Sequence, residues 1–483
     1  MRRTNVSRRY AAICAGVSIA LAVGQARGAG PAAPTPPSSP PPSPPPPPSP
    51  PPPPPPPPSP TSTPTPTSPP VGGRTISLED CVAIAVRESP DVKSRDADVA
   101  VAEADRANVK GAFGPKLSAT AAILGNTSAT LAFGGSTLVI PSAWTGTVGA
   151  SLSEPITALL PIYDQYKIQD MGVDVASIER TATRREIALR TIQAYYGLLE
   201  AIRLASVADD SVAQLEAQER QAKSQFTNGV IGKNDLLRAS LALATARQRV
   251  IQSHGQVQIQ RGQLATAMGR PVDEALEPVP VSGDPPSSEE ATIQVAEQDA
   301  LVRRVEVHAL DERIAQAERA KGIAKDRYYP AVNATGSYML LGGTLIKPPL
   351  NVFYGGLNAS WDIWDWGTTT SGVDKADAQL RQAIAARKKL ADTIQNEARQ
   401  AFVNASTARD ALVVARAAVT QAEENYRIVT KKFDANAATS FDMVDAESLL
   451  TQARGQVEAA LYDALIAHAA LEKATGAGLP GAP

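Results

Sequence analysis

Asp442 and Asp445 stand three residues apart, so on a helix their carboxylates share one face. Such a pair can present a concentrated negative charge. The plainer role is that of first-turn acids favoured by the helix dipole, and Asp235 suits that role equally. The other residues capable of chemistry are sparse. His254, His308 and His468 are scattered along helical stretches without ligand spacing, and no phosphate loop, nucleophile elbow or metal motif occurs. The chain therefore does not read as an enzyme, and no cofactor is expected. Cys81 lies in Leu78-Glu79-Asp80-Cys81-Val82-Ala83-Ile84-Ala85, an apolar helix face that makes it a buried, inert thiol. A lone thiol makes no internal disulfide and no metal motif. The net charge of −2 offers no footprint for nucleic acid.

These residues sit in a sequence that repeats. Gln193-Ala194-Tyr195 recurs as Gln400-Ala401-Phe402, Phe226 as Phe433, Asp235 as Asp442, Ala246-Arg247 as Ala453-Arg454, and Gly269 as Gly476, all at an offset of 207. Upstream, Phe113–Leu117 matches Tyr328–Val332 at 215, and Ser151-Leu152 matches Ser360-Trp361 at 209. One supersecondary unit is used twice. The segment between the upstream anchors is shorter in the second copy and should hold a surface loop.

Residues 1–29 read as an export signal: Arg2, Arg3, Arg8 and Arg9, the apolar run Tyr10–Val23, then small residues at Ala26 and Ala29. The run is short for a membrane anchor. Residues 30–74 read as a proline-rich linker, with 26 prolines between 31 and 70. Such a segment favours extended polyproline II and cannot pack a core. The first repeat spans 75–270, with strands at 115–124 and 144–154 and a helical hairpin at 164–268. A connector covers 271–290. The second repeat spans 291–476, with strands at 330–341 and 353–364 and a hairpin at 374–475, and a tail covers 477–483.

The helices are long. From Asp164 to Phe226 there is no proline and only Gly172 and Gly197. Ala205, Ala208, Val212, Leu215, Glu219, Ala222 and Phe226 alternate spacings of three and four, and Leu236, Ala239, Leu243, Ala246 and Val250 continue the pattern after a break. That is heptad spacing with small seam residues, which predicts closely packed antiparallel helices. The breaks, 227–234 and 434–440, are exposed tips. Asn234 and Ser440 are the expected N-caps, and Gly229 suits a helix C-terminus.

The strand segments alternate. Leu117, Ala119, Ala121 and Ile123 face one way, with Lys116, Ser118, Thr120 and Ala122 opposite. Period two over about ten residues fits a tilted membrane-spanning strand. All four tryptophans, Trp144, Trp361, Trp364 and Trp366, lie in or at the ends of these segments, as an interfacial girdle requires. A small soluble sheet is the alternative, which the export signal and the missing membrane helix disfavour. Four strands cannot close a barrel, and open edges in lipid leave backbone groups unsatisfied, so spanning strands require several chains.

The order helix, strand, strand, long helix, tip, returning helix, written twice behind an export signal, resembles the TolC-type outer-membrane efflux protein family (outer membrane factor). The matching segments are Leu78-Glu79-Asp80 with Ser89-Pro90-Asp91, Ala334–Tyr338, Gly356-Leu357 through Trp361–Gly367, and Phe433 to Asp442–Ala446. The resemblance covers about 75–476 and implies a fold that is mostly α with transmembrane β. A duplicated β-β-α-α unit would build a homotrimer with a twelve-stranded outer-membrane β-barrel continuing into a twelve-helix periplasmic α-barrel. It implies a passive exit duct of a tripartite efflux or type I secretion system, in contact with outer-membrane lipid. An inner-membrane pump of RND or ABC type would supply energy, and a periplasmic adaptor (membrane fusion) protein would meet the tips at Phe226, Gly229, Asp235, Phe433 and Asn436. It further implies a periplasmic gate at Asp442 and Asp445, six carboxylates in one constriction that would select cations. The family's tip glycine and basic residue are replaced by Asn436 and Ala438. The alternative is a periplasmic coiled-coil adaptor or structural protein without a membrane barrel, but an adaptor should have one hairpin flanked by soluble β-domains.

Overall fold

A computed structural model describes residues 74–481, apart from 134–135, 275, 282, 284, 286–291, 345 and 436. The export-signal and most of the linker assignments therefore lie outside the described residues. The described chain begins with β1 (Arg74–Ile76), α1 (Leu78–Glu88) and α2 (Pro90–Gly111). It continues through β2 (Lys116–Asn126), β3 (Ala129–Phe133), β4 (Ser136–Ile140) and β5 (Ala143–Pro155) to α3 (Leu159–Thr227) and α4 (Lys233–Ala267). After β6 (Leu276–Pro278) come α5 (Ile293–Arg303), α6 (Val305–Asp326), β7 (Ala331–Gly343), β8 (Leu350–Ser360), α7 (Thr368–Asp434) and α8 (Ser440–Thr475).

Seen as contacts, the two halves are alike. The Arg180–Asp96 ion pair recurs as Arg387–Asp311, Arg106–Asp170 as Lys321–Asp377, and Arg247–Glu216 as Arg454–Glu423. The tips close alike: the Val230 amide reaches the Gln225 carbonyl as the Ala437 amide reaches that of Lys432. The return helices also end alike, on Gly269 and Gly476 in the left-handed region, φ 69° and 77°.

The long helices pack side by side, α3 against both α4 and α8, and α7 against α8. Their apolar seams turn inward: Ala205, Leu215 and Ala222 on α3, and Ala239, Leu243 and Ala246 on α4, are buried. The main core lies where α1 and the connector meet α3 and α8, around Val82, Ile192, Leu198, Leu264 and Tyr462. Tyr195 lies in this core and donates its hydroxyl to the Val279 carbonyl at 2.9 Å and to that of Ile76 at 3.3 Å. It thereby ties the parallel β1–β6 pair to α3.

Several boundaries differ from the sequence expectation. α3 starts at Leu159 rather than 164, because Pro161 falls in the first turn, where an amide has no intrahelical partner. α7 starts at Thr368 rather than 374, capped by Asp365, whose carboxylate accepts from the amides of Gly367 at 3.1 Å and Thr369 at 2.7 Å. β8 ends at Ser360, so Trp361 and Trp364, expected within the strand, follow it together with Trp366. There the Trp361 indole donates to the Tyr328 carbonyl at 3.2 Å, and Trp366 takes φ 56°. The expected caps Asn234 and Ser440 lie inside their helices, and Gly232 and Thr439 cap instead. Two features had no counterpart in the sequence reading, the β3–β4 hairpin in the longer loop and the β1–β6 pair.

Candidate functional site

The sheet and the helix tips carry the chemistry of surfaces rather than of a reaction. The sheet order is β2-β5-β7-β8, antiparallel throughout. Register sorts its side chains into two faces. Leu117, Leu152, Gly336 and Gly355 form one row, Ala119, Ala150, Tyr338 and Phe353 the next, and Ala121, Val148, Leu340 and Asn351 a third. On the opposite face, Ser118, Ser151, Ser337 and Tyr354 align, and the Ser118 and Ser151 hydroxyls lie 2.7 Å apart. The apolar rows have no cover: Leu117 is 76% exposed and Phe353 79%. An apolar sheet face this open would aggregate in water and is stable against hydrocarbon. Eleven residues reach about 36 Å, or about 25 Å at a 45° tilt, which matches a membrane's apolar band. β2 and β8 have no strand partner on their outer edges among the described residues.

The tryptophans divide between the two ends of this sheet. Trp144 pairs with Gly125 at the loop end, and its indole lies over Gly125, where an added Cβ would come within 2.8 Å of the ring and push it aside. Trp361, Trp364 and Trp366 lie at the helix end with Tyr328 and Tyr329, all exposed. No helix among the described residues is long and apolar enough to cross a membrane.

At the tips, Asp442 and Asp445 are both exposed on α8. Asp442 forms a capping box with Thr439: its carboxylate accepts from the Thr439 amide at 2.8 Å, and the Thr439 hydroxyl accepts from the Asp442 amide at 3.2 Å. Those hydrogen bonds hold the Asp442 carboxyl below its usual range, so it stays ionised. Asp235 has no such partner at its N-cap, Gly232. Gly229 adopts φ 74°, two residues past the end of α3. Phe226 is 39% exposed, whereas its counterpart Phe433 is buried at 3%. Asn436 lies outside the described residues.

Close to the tips, Glu447 is a buried acid that sequence reasoning missed. It accepts from the Ser211 hydroxyl at 2.6 Å and the Thr451 hydroxyl at 2.8 Å, joining α8 to α3. Its only sequence signal is its place beside Ala446, the counterpart at the repeat offset of the seam residue Ala239. A groove of about 400 Å³ between α3, α4 and α8 is lined by Arg238, Phe441 and Glu447, with the Arg238 guanidinium 5.5 Å from the Phe441 ring centre. Away from these sites, His254 meets Asp209 at 3.2 Å and His468 meets Glu472 at 3.4 Å. No cluster among the described residues could hold a metal ion. Burial pushes the Cys81 thiol up to about 12.

The same arrangement occurs in known proteins. The outer membrane efflux protein family model matches residues 82–270 and 296–477. The chain is 19% identical over 259 residues to nodulation protein T of Rhizobium leguminosarum bv. trifolii, a match spanning 53% of the chain and 56% of that protein. Among solved structures, it is similar to the CmeC outer membrane channel of Campylobacter jejuni (TM-score 0.70, 18% identity, 84% of this chain and 87% of that one). It is likewise similar to the outer membrane protein VceC of Vibrio cholerae (TM-score 0.71, 17% identity, 83% and 96%). The open-state MtrE channel of Neisseria gonorrhoeae gives a TM-score of 0.67 at 18% identity, over 84% and 90%. These structural likenesses establish the fold. The open apolar sheet, the paired long hairpins and a family match across both halves lead to one conclusion: the chain belongs to the outer membrane efflux protein family.

Proposed function

We propose that three copies of this chain close their sheets edge to edge into a twelve-stranded barrel in the outer membrane. The helices would continue as a twelve-helix periplasmic tunnel that serves as a passive exit duct. The observation that carries this reading is the four-stranded sheet with two unpaired edges, β2 and β8, and an exposed apolar face. Unsatisfied strand edges in lipid cost several kcal/mol per backbone group, and joining β8 of one copy to β2 of the next removes every edge. The Ser118-Ser151-Ser337 row then faces the lumen, and the tryptophans form two girdles against lipid. The duct would work in a tripartite efflux or type I secretion system. A periplasmic adaptor would meet the tips around Phe226, Gly229, Asp235 and Asn436, with Phe433 supporting the second tip from inside, and an inner-membrane pump of RND or ABC type would supply the energy. Asp442 and Asp445 would ring the periplasmic aperture as its gate. Membrane fractionation with mass measurement tests this reading. Outer-membrane location and a trimeric mass are expected, and a soluble periplasmic monomer would refute it in favour of an adaptor-like protein.

A further inference from the structure

The apolar face of the sheet has a hollow near its loop end. About 660 Å³ of space lies over β2, β5 and β7, bordered by Ala121, Ile123, Val148, Leu340 and Pro349. Its floor is a glycine pair, Gly146 on β5 opposite Gly342 on β7. Neither glycine adopts a left-handed φ. Nor does crowding demand them. A Cβ on Gly146 would meet only the Gly342 carbonyl oxygen, at 3.8 Å, and one on Gly342 only the Pro349 ring, at 3.7 Å. Both are ordinary contacts, unlike the 2.2 Å from the Trp144 carbonyl oxygen that a Cβ on neighbouring Gly343 would face. Glycine weakens a strand interior and often marks a place where a ligand comes close. Trp144, 64% exposed, stands two residues before Gly146 and so on the same face of β5.

One charge stands beside this hollow. Between Lys116 and Glu154, and between Arg327 and Asp362, Lys347 is the only charged residue. Those four flanking charges belong to the helix end, so the loop end of the sheet carries a single cation. Lys347 is exposed. Its loop is fastened to β5: the Thr344 amide donates to the Trp144 carbonyl at 3.0 Å, and the Trp144 amide donates to the Thr344 hydroxyl at 2.9 Å. Lys347 comes two residues before Pro349, so their Cα atoms are at most about 7 Å apart. A lysine stem can lie along apolar surface while its ammonium reaches the polar boundary. We propose that the hollow seats one acyl chain of an anionic lipid of the outer leaflet, with Lys347 meeting the lipid's phosphate. The proposal rests on the reading of the sheet as part of an outer-membrane barrel and names a ligand for its outward face. The occupant is a lipid because the hollow opens toward hydrocarbon, is bordered mainly by apolar side chains, and has a lone cation on its headgroup side. A peptide lying there would leave its amides unsatisfied.

Full-length protein reconstituted in phosphatidylcholine vesicles tests the site, with Trp144 as reporter. Bromine on an acyl chain quenches an indole that it touches. The difference between the wild type and Trp144→Phe isolates this tryptophan from the three at the helix end. Brominated phosphatidic acid should quench Trp144 with about fivefold higher apparent affinity than brominated phosphatidylcholine, the attraction of one lysine for an anionic headgroup. Lys347→Gln should bring that ratio to about one while quenching by phosphatidylcholine persists. Gly146→Leu, whose Cβ points into open space, should weaken quenching by both lipids. A wild-type ratio of about one, or a preference that survives Lys347→Gln, overturns the phosphate contact. Unchanged quenching in Gly146→Leu overturns the acyl seat. In each of these cases the barrel stands. If neither lipid quenches any tryptophan, the sheet is not in the membrane, and the barrel reading falls with the proposal.

Discussion

Gly269 and Gly476 allow the packing at the two return-helix ends to be weighed separately. Both adopt a left-handed φ, at which alanine costs about 1–2 kcal/mol. Their surroundings differ. A Cβ on Gly269 would lie 3.4 Å from the Glu88 carbonyl oxygen and 3.5 Å from its carbon, which a shift of a few tenths of an ångström relieves. On Gly476 it would lie 2.8 Å from the Arg303 Cβ and 2.9 Å from the Arg303 carbonyl carbon, and backbone cannot swing aside. Overpacking of that kind costs about a further 1–3 kcal/mol. Gly269→Ala should therefore lose about 1–2 kcal/mol and Gly476→Ala about 2–5 kcal/mol. Urea unfolding of the detergent-solubilised protein, followed by helical circular dichroism, reads the difference in midpoint. Equal losses, or a larger loss at Gly269, would show that α8 does not dock on the break between α5 and α6 as described, and the reasoning would fail.

Other perturbations act elsewhere. Asp442→Ala with Asp445→Ala should lower cation selectivity or alter single-channel conductance in planar bilayers, and unchanged currents would discard the carboxylate ring. Val148→Arg, on the apolar sheet face, should cost about 2–4 kcal/mol in folding into lipid vesicles, whereas Ser337→Arg on the polar face should cost little; similar effects at both sites would remove the two-faced sheet. The folded state raises the Cys81 pKa, so it favours the neutral thiol. The stability from that preference is complete below about 9 and is lost as pH rises toward about 12. Cys81→Ala should flatten that part of the alkaline unfolding profile, and an unchanged profile would count against the burial argument.

Much of the architecture was legible because it is local. The three–four spacing of Leu215, Ala222, Ala239 and Leu243 encodes a seam through helix geometry alone, and those residues are buried. Alternation across Leu117–Ile123 encodes a two-faced strand for the same reason. Local rules misplaced the caps, because Thr439 and Gly232 compete with equally plausible neighbours and the choice depends on backbone angles. They also extended β8 to Trp364, past Ser360, where an indole bond from Trp361 to Tyr328 and the Asp365 cap follow the end of the ladder.

By itself the sequence determined that residues of its two halves recur at a fixed offset, that its helices carry small seams, and that its strands alternate. The seams and the alternation are periodicities imposed by sterics over a few residues, and the repeat is read from matching residues at one fixed offset. The tertiary structure alone decided that β5 pairs with β7 and so joins the halves, leaving β2 and β8 as free edges among the described residues. It alone decided that Phe433 turns inward while Phe226 does not, and that Glu447 is buried against Ser211, 236 residues away in the chain. Such contacts depend on which distant surfaces meet once the loops close, and no periodicity within one segment records that.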